Sequence, residues 1–588
     1  MFKSSVISNF TKYSAAYAAI FLLSAATLAW EIILTRVFAI TQFYHFAFLA
    51  VNVALLGFGA SGTALSLRPR WTDPDADGRP EERPALLRRL EWNILAFVGT
   101  LVGSYLLVNA LPFDSYAIAW DSRQVWLLVI YYLALSTPFF FTGMAVGMAL
   151  AMTRQRSNRV YASNLLGSAL GALAAPFILP WLGLPGVIFA LAAVGVLAAL
   201  ATRRPNVGAT GWRATGWSPL PRLLALSLLT LLLLLAAFFP PAWADLRISP
   251  YKGLPQALNY PGSQVIARQD GAIARVEIIE SGGVRSLPGL SFQYRGQLPP
   301  QYGLLSDSDD LNPVLDNAQA IDWTFLDYLP EALAYDLTGA DPVLVLHPRG
   351  GLAIWQALNG GASARPIIAI EPDPLAVTQI DQILSADSPY RQPQVTTITE
   401  SARSFLQRDQ EKYGVIHLAL TQPYRPVTSG AFSLSENYDL TLEALDAYLD
   451  HLSPAGILAL SRWLQIPPSE SVRTLALLAE GLRRHGVEQP GEHIVALRGV
   501  QTTTFYVKLT PWSSTELAQV RDFARSRRFD ISFAPDLQAD ETNQYNILPE
   551  PYYEQAYLDL LITPSVNSFP AGWPAPSSAS NRLPSAGL

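Results

Sequence analysis

Seven apolar runs in the first 243 residues constrain this chain more than any other feature. They lie near residues 16–38, 44–67, 92–112, 125–152, 161–180, 186–202 and 221–240. Each is long enough to cross about 30 Å of hydrocarbon as a helix. Lipid offers no hydrogen-bond partner to the backbone, so each run must satisfy its own N–H and C=O groups, which a helix does. Pro176, Pro180, Gly183, Pro185 and Gly186 predict a tight hairpin between the fifth and sixth runs. The first run is too long, and too closely followed by others, to be a cleaved signal peptide.

Composition agrees with a membrane component. Half of the 588 residues are hydrophobic, 15% are charged, and mean hydropathy is +0.22. Basic residues in the short loops set orientation. Lys3 and Lys12 precede the first run. Arg68, Arg70, Arg79, Arg83, Arg88 and Arg89 lie between the second and third. Arg154, Arg156 and Arg159 follow the fourth, and Arg203, Arg204, Arg213 and Arg222 precede the seventh. The opposite short loops hold Arg123 alone. The expectation is a multi-pass protein of a bacterial inner membrane, with a cytoplasmic N-terminus and, after seven spans, a non-cytoplasmic C-terminal half.

Glu31 and Arg36 inside the first run read either as part of an ion or substrate path or as an interfacial or interhelical ion pair. Gly143-xxx-Gly147 and Gly167-xxx-Gly171 read as small-residue faces that let helices approach closely. The net charge of −6 gives no support to nucleic-acid binding. With no cysteine, disulfides, thiol catalysis and cysteine-ligated metals are excluded. The six histidines show no ligand spacing, so no metal site is expected.

Beyond Pro240-Pro241 the pattern changes. Residues 271–285 read as a β-hairpin with Ala274–Ile279 as a strand and Ser281-Gly282-Gly283 as its turn. Residues 289–313 read as polar and turn-rich, and 324–337 as a helix. From Pro342, short apolar runs alternate with helical ones. Strands are expected at 343–346, 367–370, 395–399, 415–420, 457–460 and 503–509, and helices at 375–384, 401–407, 440–452 and 470–484. A capping box at Ser513-Ser514-Thr515-Glu516 opens a further helix to Arg528. This alternation predicts a mostly parallel sheet covered on both faces.

Within it, Val343-Leu344-Val345-Leu346 feeds the turn His347-Pro348-Arg349-Gly350-Gly351, a helix from Leu352, and a second strand closed by Glu371. A strand entering a glycine turn that opens a helix gathers backbone N–H groups. An acid about twenty residues on is placed for ribose hydroxyls. That is the outline of a nucleoside-binding α/β unit.

Further segments carry a resemblance. They are Leu28-Ala29-Trp30-Glu31 with Thr35-Arg36, Tyr161-Ala162-Ser163-Asn164-Leu165-Leu166-Gly167, Ser249-Pro250-Tyr251-Lys252-Gly253 and Phe325-Leu326-Asp327-Tyr328-Leu329-Pro330. Ala431-Phe432-Ser433-Leu434-Ser435-Glu436-Asn437-Tyr438 and Pro454-Ala455-Gly456-Ile457-Leu458 complete them. With the 342–374 stretch, the chain resembles membrane-fused spermidine synthase-like proteins up to about residue 565. The resemblance implies a multi-span helical membrane bundle of about seven helices. After it would come an α/β Rossmann-like domain of the class I methyltransferase and spermidine synthase type, with a small N-terminal β subdomain. The domains implied are 1–243 (transmembrane), 244–340 (β-rich, with a lead-in helix), 341–565 (Rossmann-like) and 566–588 (a disordered tail).

In active members of that family, as the resemblance has it, a loop acid faces decarboxylated S-adenosylmethionine and a second acid holds the ribose. A Gly-Asp pair reaches the adenine, and an aspartate after the fourth strand helps deprotonate the attacking amine. Carried over, the ribose acid is Glu371. The loop acid falls on Arg349, the adenine aspartate on Ser401, and Ala419 and Gln422 stand where the aspartates of the catalytic segment would be. No Asp or Glu occurs between Tyr413 and Gly430. An arginine in the loop repels both a sulfonium and a polyamine.

The candidate cofactor-binding residues are therefore Gly350, Gly351, Glu371 and Ser401, and the candidate substrate-cleft residues Glu436 and Tyr438; no catalytic residue is assigned. The leading expectation is a membrane protein with a catalytically degenerate spermidine synthase-like domain, used for binding or assembly. Its partners would be the lipid bilayer and a membrane protein or second copy, with no nucleic acid. One alternative is an active aminopropyltransferase or other S-adenosyl-dependent transferase with rearranged acids such as Asp307, Asp309, Asp310 or Glu436. Its ligand would be decarboxylated S-adenosylmethionine or a related nucleoside. Another is a transporter-like bundle with a ligand-sensing domain, against which stands the lack of paired broken helices.

Overall fold

The computed structural model describes residues 2–42, 46, 48–68, 71, 83–153, 156–202, 219–285, 287–316, 321–361, 365–421 and 437–562. The chain divides into two compact units, one of residues 1–255 with 269–275 and one of 256–268 with 276–588.

The first unit is a helical bundle: α1 (Phe2–Thr41), α2 (Phe48–Leu67), α3 (Arg83–Ala110), α4 (Arg123–Met152), α5 (Ser157–Ala201) and α6 (Pro219–Phe238). The first five contain segments long and apolar enough to cross a membrane; in α6, Arg222–Phe238 is a shorter apolar helix. The fifth and sixth apolar runs both lie within α5. They are two helices that meet, inside the expected interruption, at a kink at Gly183, whose φ of 65° and ψ of 169° only glycine adopts readily. The break frees the Leu184 N–H, which donates to Asp270 Oδ2 at 2.8 Å. Arg275 grips the same carboxylate through two nitrogens, at 2.6 and 3.1 Å.

The expected small-residue faces are packing faces. A side-chain carbon on Gly167 would lie 2.2 Å from the Phe21 carbonyl oxygen, and one on Gly171 2.0 Å from that of Ala25, so α5 presses backbone-close on α1. Thr27 and Thr142 share a hydrogen bond of 2.9 Å between α1 and α4, and Ser24 donates to Asn164 on α5 at 2.8 Å. The segment Ser249–Gly253 closes the end of α1. Ser249 N–H donates to the Thr41 carbonyl at 2.8 Å, and the buried Lys252 ammonium donates to that of Ala39. A cation at a helix C-terminus satisfies carbonyls that have no partner within the helix.

After a short helix, α7 (Gly253–Leu258), come β1 (Gln264–Asp270), β2 (Arg275–Glu280), β3 (Gln301–Ser306) and β4 (Asp309–Leu315), adjacent in sequence order in one sheet. The turn between β1 and β2 lies at residues 271–274, before the strand, not at Ser281–Gly283 as expected. The polar 289–313 stretch supplies β3 and most of β4, an antiparallel hairpin. The expected 324–337 helix is split by Leu329-Pro330 into a 3-10 turn (Trp323–Tyr328) and α8 (Ala332–Leu337).

The remainder is β5 (Val343–Leu346), α9 (Leu352–Asn359), β6 (Ile367–Ile370), α10 (Pro374–Leu384), β7 (Val395–Ile398), α11 (Ala402–Leu406), β8 (Tyr413–Leu418) and α12 (Leu442–Asp450). Then follow β9 (Leu452–Trp463), α13 (Glu470–Arg484), β10 (Ile494–Arg498), β11 (Thr502–Val507), α14 (Ser514–Arg527), β12 (Asp530–Phe533) and α15 (Tyr552–Ile562). Ser513 and Glu516 form the expected capping box. The sheet order is β12-β10-β11-β9-β8-β5-β6-β7, parallel from β9 to β7 and antiparallel among β9, β11, β10 and β12. Val343 and Val345 enter one apolar core and Leu344 and Leu346 the other, so β5 is covered on both faces.

Candidate functional site

Chain order reverses between β5 and β8: the chain runs outward from β5 through β6 to β7, then returns to the other side of β5. Such a reversal opens a crevice at the carboxyl ends of the two strands, and it is the usual ligand position in an open α/β sheet. Here it is bounded by the loop His347–Gly351 and by residues 418–421.

The loop holds left-handed backbone without glycine where it would be cheapest. His347 has φ 55° and Arg349 φ 47°. Each costs about 1 kcal/mol for a non-glycine residue, and hydrogen bonds hold each in place. His347 N–H donates to the Ile370 carbonyl at 2.9 Å, and its Nε2 lies 3.0 Å from the Asp439 carboxylate. Arg349 N–H donates to Glu371 Oε2 at 3.0 Å, while its carbonyl accepts from the Tyr390 hydroxyl at 2.6 Å.

Glu371, expected to hold a ribose, is completely buried. Its Oε2 accepts from Arg349 N–H, and its Oε1 accepts from Asp373 N–H at 3.1 Å. The Arg349 guanidinium lies 3.9 Å from Oε1 and donates to Ser306 Oγ at 3.2 Å. Both carboxylate oxygens thus serve this chain's own backbone. Burial alone would lower the Arg349 pKa, but Glu371, Asp310, Asp373 and Tyr390 around it raise it instead. Burial raises the Asp373 carboxyl, and burial followed by the Glu371 charge pushes the Tyr390 phenol up.

The loop glycines have local reasons. A side-chain carbon on Gly350 would meet the Pro313 carbonyl oxygen at 2.0 Å; Gly351, at φ 89°, begins α9 with Pro389 2.3 Å from where such a carbon would be. Ser401 is the N-cap of α11, accepting from Ser404 N–H at 3.2 Å. Tyr438 is 65% exposed. Glu436 and Gln422 lie outside the described residues, as does the 566–588 tail. Asp307, Asp309 and Asp310 sit at the β3–β4 turn, where Asp310 acts on Arg349 and Asp307 on Asp373.

The structure therefore gathers Arg349, Gly350, Glu371 and the β3–β4 acids, and leaves Ser401 as a cap. Sequence reasoning missed Asp373, Tyr390 and Ser306. Asp373 had a signal: an acid before Pro374 caps α10 through Leu375 N–H at 3.0 Å. Tyr390 and Ser306 had none, since they lie 41 and 43 residues from Arg349. Among the described residues no cluster of His, Cys, Asp or Glu has the geometry of a metal site.

No family model and no curated protein matches this sequence. Solved structures do. Spermidine synthase from Thermotoga maritima is similar over 51% of this chain and 84% of its own, at 12% identity and a TM-score of 0.30. A probable spermidine synthase from Corynebacterium glutamicum covers 45% of this chain and 87% of its own, at 13% identity and 0.31. Precorrin 8w decarboxylase from Methanobacterium thermoautotrophicum covers 30% and 86%, at 16% identity and 0.19. The chain thus joins a bundle with five long apolar helices to a mixed α/β unit that resembles spermidine synthase in fold, over about half its length.

Proposed function

We propose that this is a multi-pass membrane protein whose spermidine synthase-like domain no longer transfers an aminopropyl group and serves binding or assembly. The observation that carries this reading is the state of Glu371. Its two oxygens are already engaged by backbone N–H groups, with the Arg349 guanidinium beside them. The carboxylate is also completely buried, so a ribose would have to open the loop to reach it, and a sulfonium would meet a fixed positive charge. Ala419 at the end of β8 supports the same reading, because a methyl group cannot help deprotonate an amine. Gly350, Gly351 and Ser401 remain candidate contacts to a nucleoside, though each already has a structural role.

The orientation proposed is N-terminus inside and α/β unit outside the cytoplasm, resting on the basic loop residues. A reporter fused after Leu588 and active only in the cytoplasm should be silent. For function, the purified protein should show no saturable binding of decarboxylated S-adenosylmethionine or methylthioadenosine. Putrescine-dependent turnover of the former would overturn this reading in favour of a transferase with rearranged acids. The observation favouring that second reading is the approach of Asp310 and Asp307 to the loop.

A further inference from the structure

The sheet of the α/β unit carries buried polar groups on both faces at its antiparallel end. On one face the Ser461 and Thr504 hydroxyls meet at 2.6 Å, and Ser461 donates to Glu331. Side chains alternate along a strand, so the neighbouring Thr503 points the other way, into the core shared with Phe505 and Tyr557. There Ser471 of α13 is 2% exposed, Arg498 of β10 1%, Thr503 of β11 0%, and Glu554 and Tyr557 of α15 2% and 0%. These five adjoin one another. Arg498 and Thr503 are paired residues of neighbouring strands, and Glu554 Oε1 accepts from Arg498 Nη2 at 3.2 Å. Glu554 and Tyr557 lie about one turn apart on α15. Burial raises the Tyr557 phenol, and the Ser471 and Thr503 hydroxyls beside it pull the other way.

Much of the polarity here is matched within the chain. Arg498 also donates to the Asn546 carbonyl at 2.7 Å and to Asn543 Oδ1 at 3.0 Å. Asp530, 3.4 Å from Arg498, accepts from the N–H groups of Gln544, Tyr545 and Asn546 at 2.6, 2.8 and 2.8 Å. One atom on each of the five side chains is left over. Arg498 Nε, Glu554 Oε2 and the hydroxyls of Ser471, Thr503 and Tyr557 are out of solvent and have no hydrogen bond among the described residues. A buried polar atom without a partner is costly, so five in one place point to a ligand. A cation would suit Glu554 Oε2 but face the Arg498 guanidinium, and an anion would suit Arg498 Nε but face Glu554. Water donates and accepts, as the three hydroxyls do, and serves all five. A buried water makes about three hydrogen bonds, so the five groups call for about two molecules.

We propose that an internal water cluster is bound between α15, the start of α13 and strands β10 and β11, joining the Ser471, Thr503 and Tyr557 hydroxyls and linking Arg498 Nε to Glu554 Oε2. With the direct bond from the Tyr553 hydroxyl to the Gln465 carbonyl at 2.6 Å, it fastens α15 to the rest of the unit. The site lies on the opposite face of the sheet from Glu331 and uses none of Arg349, Glu371 or Ala419. It therefore goes beyond the proposed function and does not rest on it.

The test is X-ray hydroxyl-radical footprinting of the full chain in detergent, read by mass spectrometry. Ionising a bound water makes a hydroxyl radical in place, so a side chain beside it is oxidised although bulk solvent does not reach it. Tyr506 is the internal control: it is equally buried, and its hydroxyl donates directly to the Pro330 carbonyl at 2.6 Å. Tyr557 should be oxidised at least about tenfold faster than Tyr506, and equally so in sodium, potassium or choline chloride at one ionic strength. Thr503→Val keeps the side-chain shape and removes one hydroxyl, and should slow Tyr557 oxidation at least about threefold. Ser471→Ala should do the same and serves as the second variant if the first fails to fold. Equal oxidation of Tyr557 and Tyr506, an unchanged rate in a folded Thr503→Val or Ser471→Ala protein, or dependence on one cation would each overturn the proposal. So would amide hydrogen exchange in α15 as fast as in an exposed loop, since opening of the helix would then admit bulk solvent.

Discussion

The two sides of the crevice differ in what their acids are bound to. At the ends of β5 and β6, Glu371 ties the loop to the start of the next segment and faces Arg349. At the end of β8 stands Ala419, which carries no charge, and a buried acid, Glu331, lies beside open space. An acid at the position expected for a ligand contact can thus be a structural tie. Identity at a position says what a group is; its partners say whether it is available.

The strongest way to break this comparison is Glu371→Ala. If Glu371 is a structural tie, its removal leaves two backbone donors and the Arg349 charge without their acceptor. It should cost about 3 kcal/mol of stability, read by denaturant unfolding in detergent. Unchanged stability would return Glu371 to the role of an available ribose ligand. Next is Ser401→Ala, expected to cost about 1 kcal/mol as a lost helix cap. A smaller loss would weaken its assignment as a cap alone.

Arg349→Gly sharpens the comparison from the other direction. It relieves the backbone strain at φ 47° but removes the side chain facing Glu371 and Ser306. About 1 kcal/mol of strain relief opposes the cost of leaving buried Glu371 without its neighbouring guanidinium, so a net loss of about 1 kcal/mol is expected. A loss of several kcal/mol would make the guanidinium the chief fastener of the loop.

The smallest effect tests the β8 side. The folded-state pKa of His417 lies below its ordinary value of 6.5, so the native protein binds fewer protons there than the unfolded chain. Its contribution to stability is therefore present above pH 6.5 and lost as pH falls through the window beneath it. His417→Gln should remove that slope; an identical slope in the variant would place its origin elsewhere.

Much of this architecture was legible in local sequence. Val343–Leu346 and Ile367–Ile370 could be read because a strand buried on both faces is a short unbroken apolar run. The break at Gly183 could be read because proline and glycine restrict the backbone locally. The β3–β4 hairpin was hidden because its polar residues alternate too weakly to show a buried face, and β10 and β12 because antiparallel partners can come from far along the chain.

By itself the sequence determined the membrane-spanning character of the first part, the α/β alternation of the second, and the absence of acids after β8. Those are properties of composition and of periods of a few residues. Only the tertiary structure decided that Glu371 is occupied, that Arg349 turns inward to face it, and that Glu331, Gln356, His417 and Ser461 meet beside a cavity. The physical reason is distance along the chain: Glu331 and Ser461 are 130 residues apart, and nothing local encodes the moment at which two such side chains share a hydrogen bond.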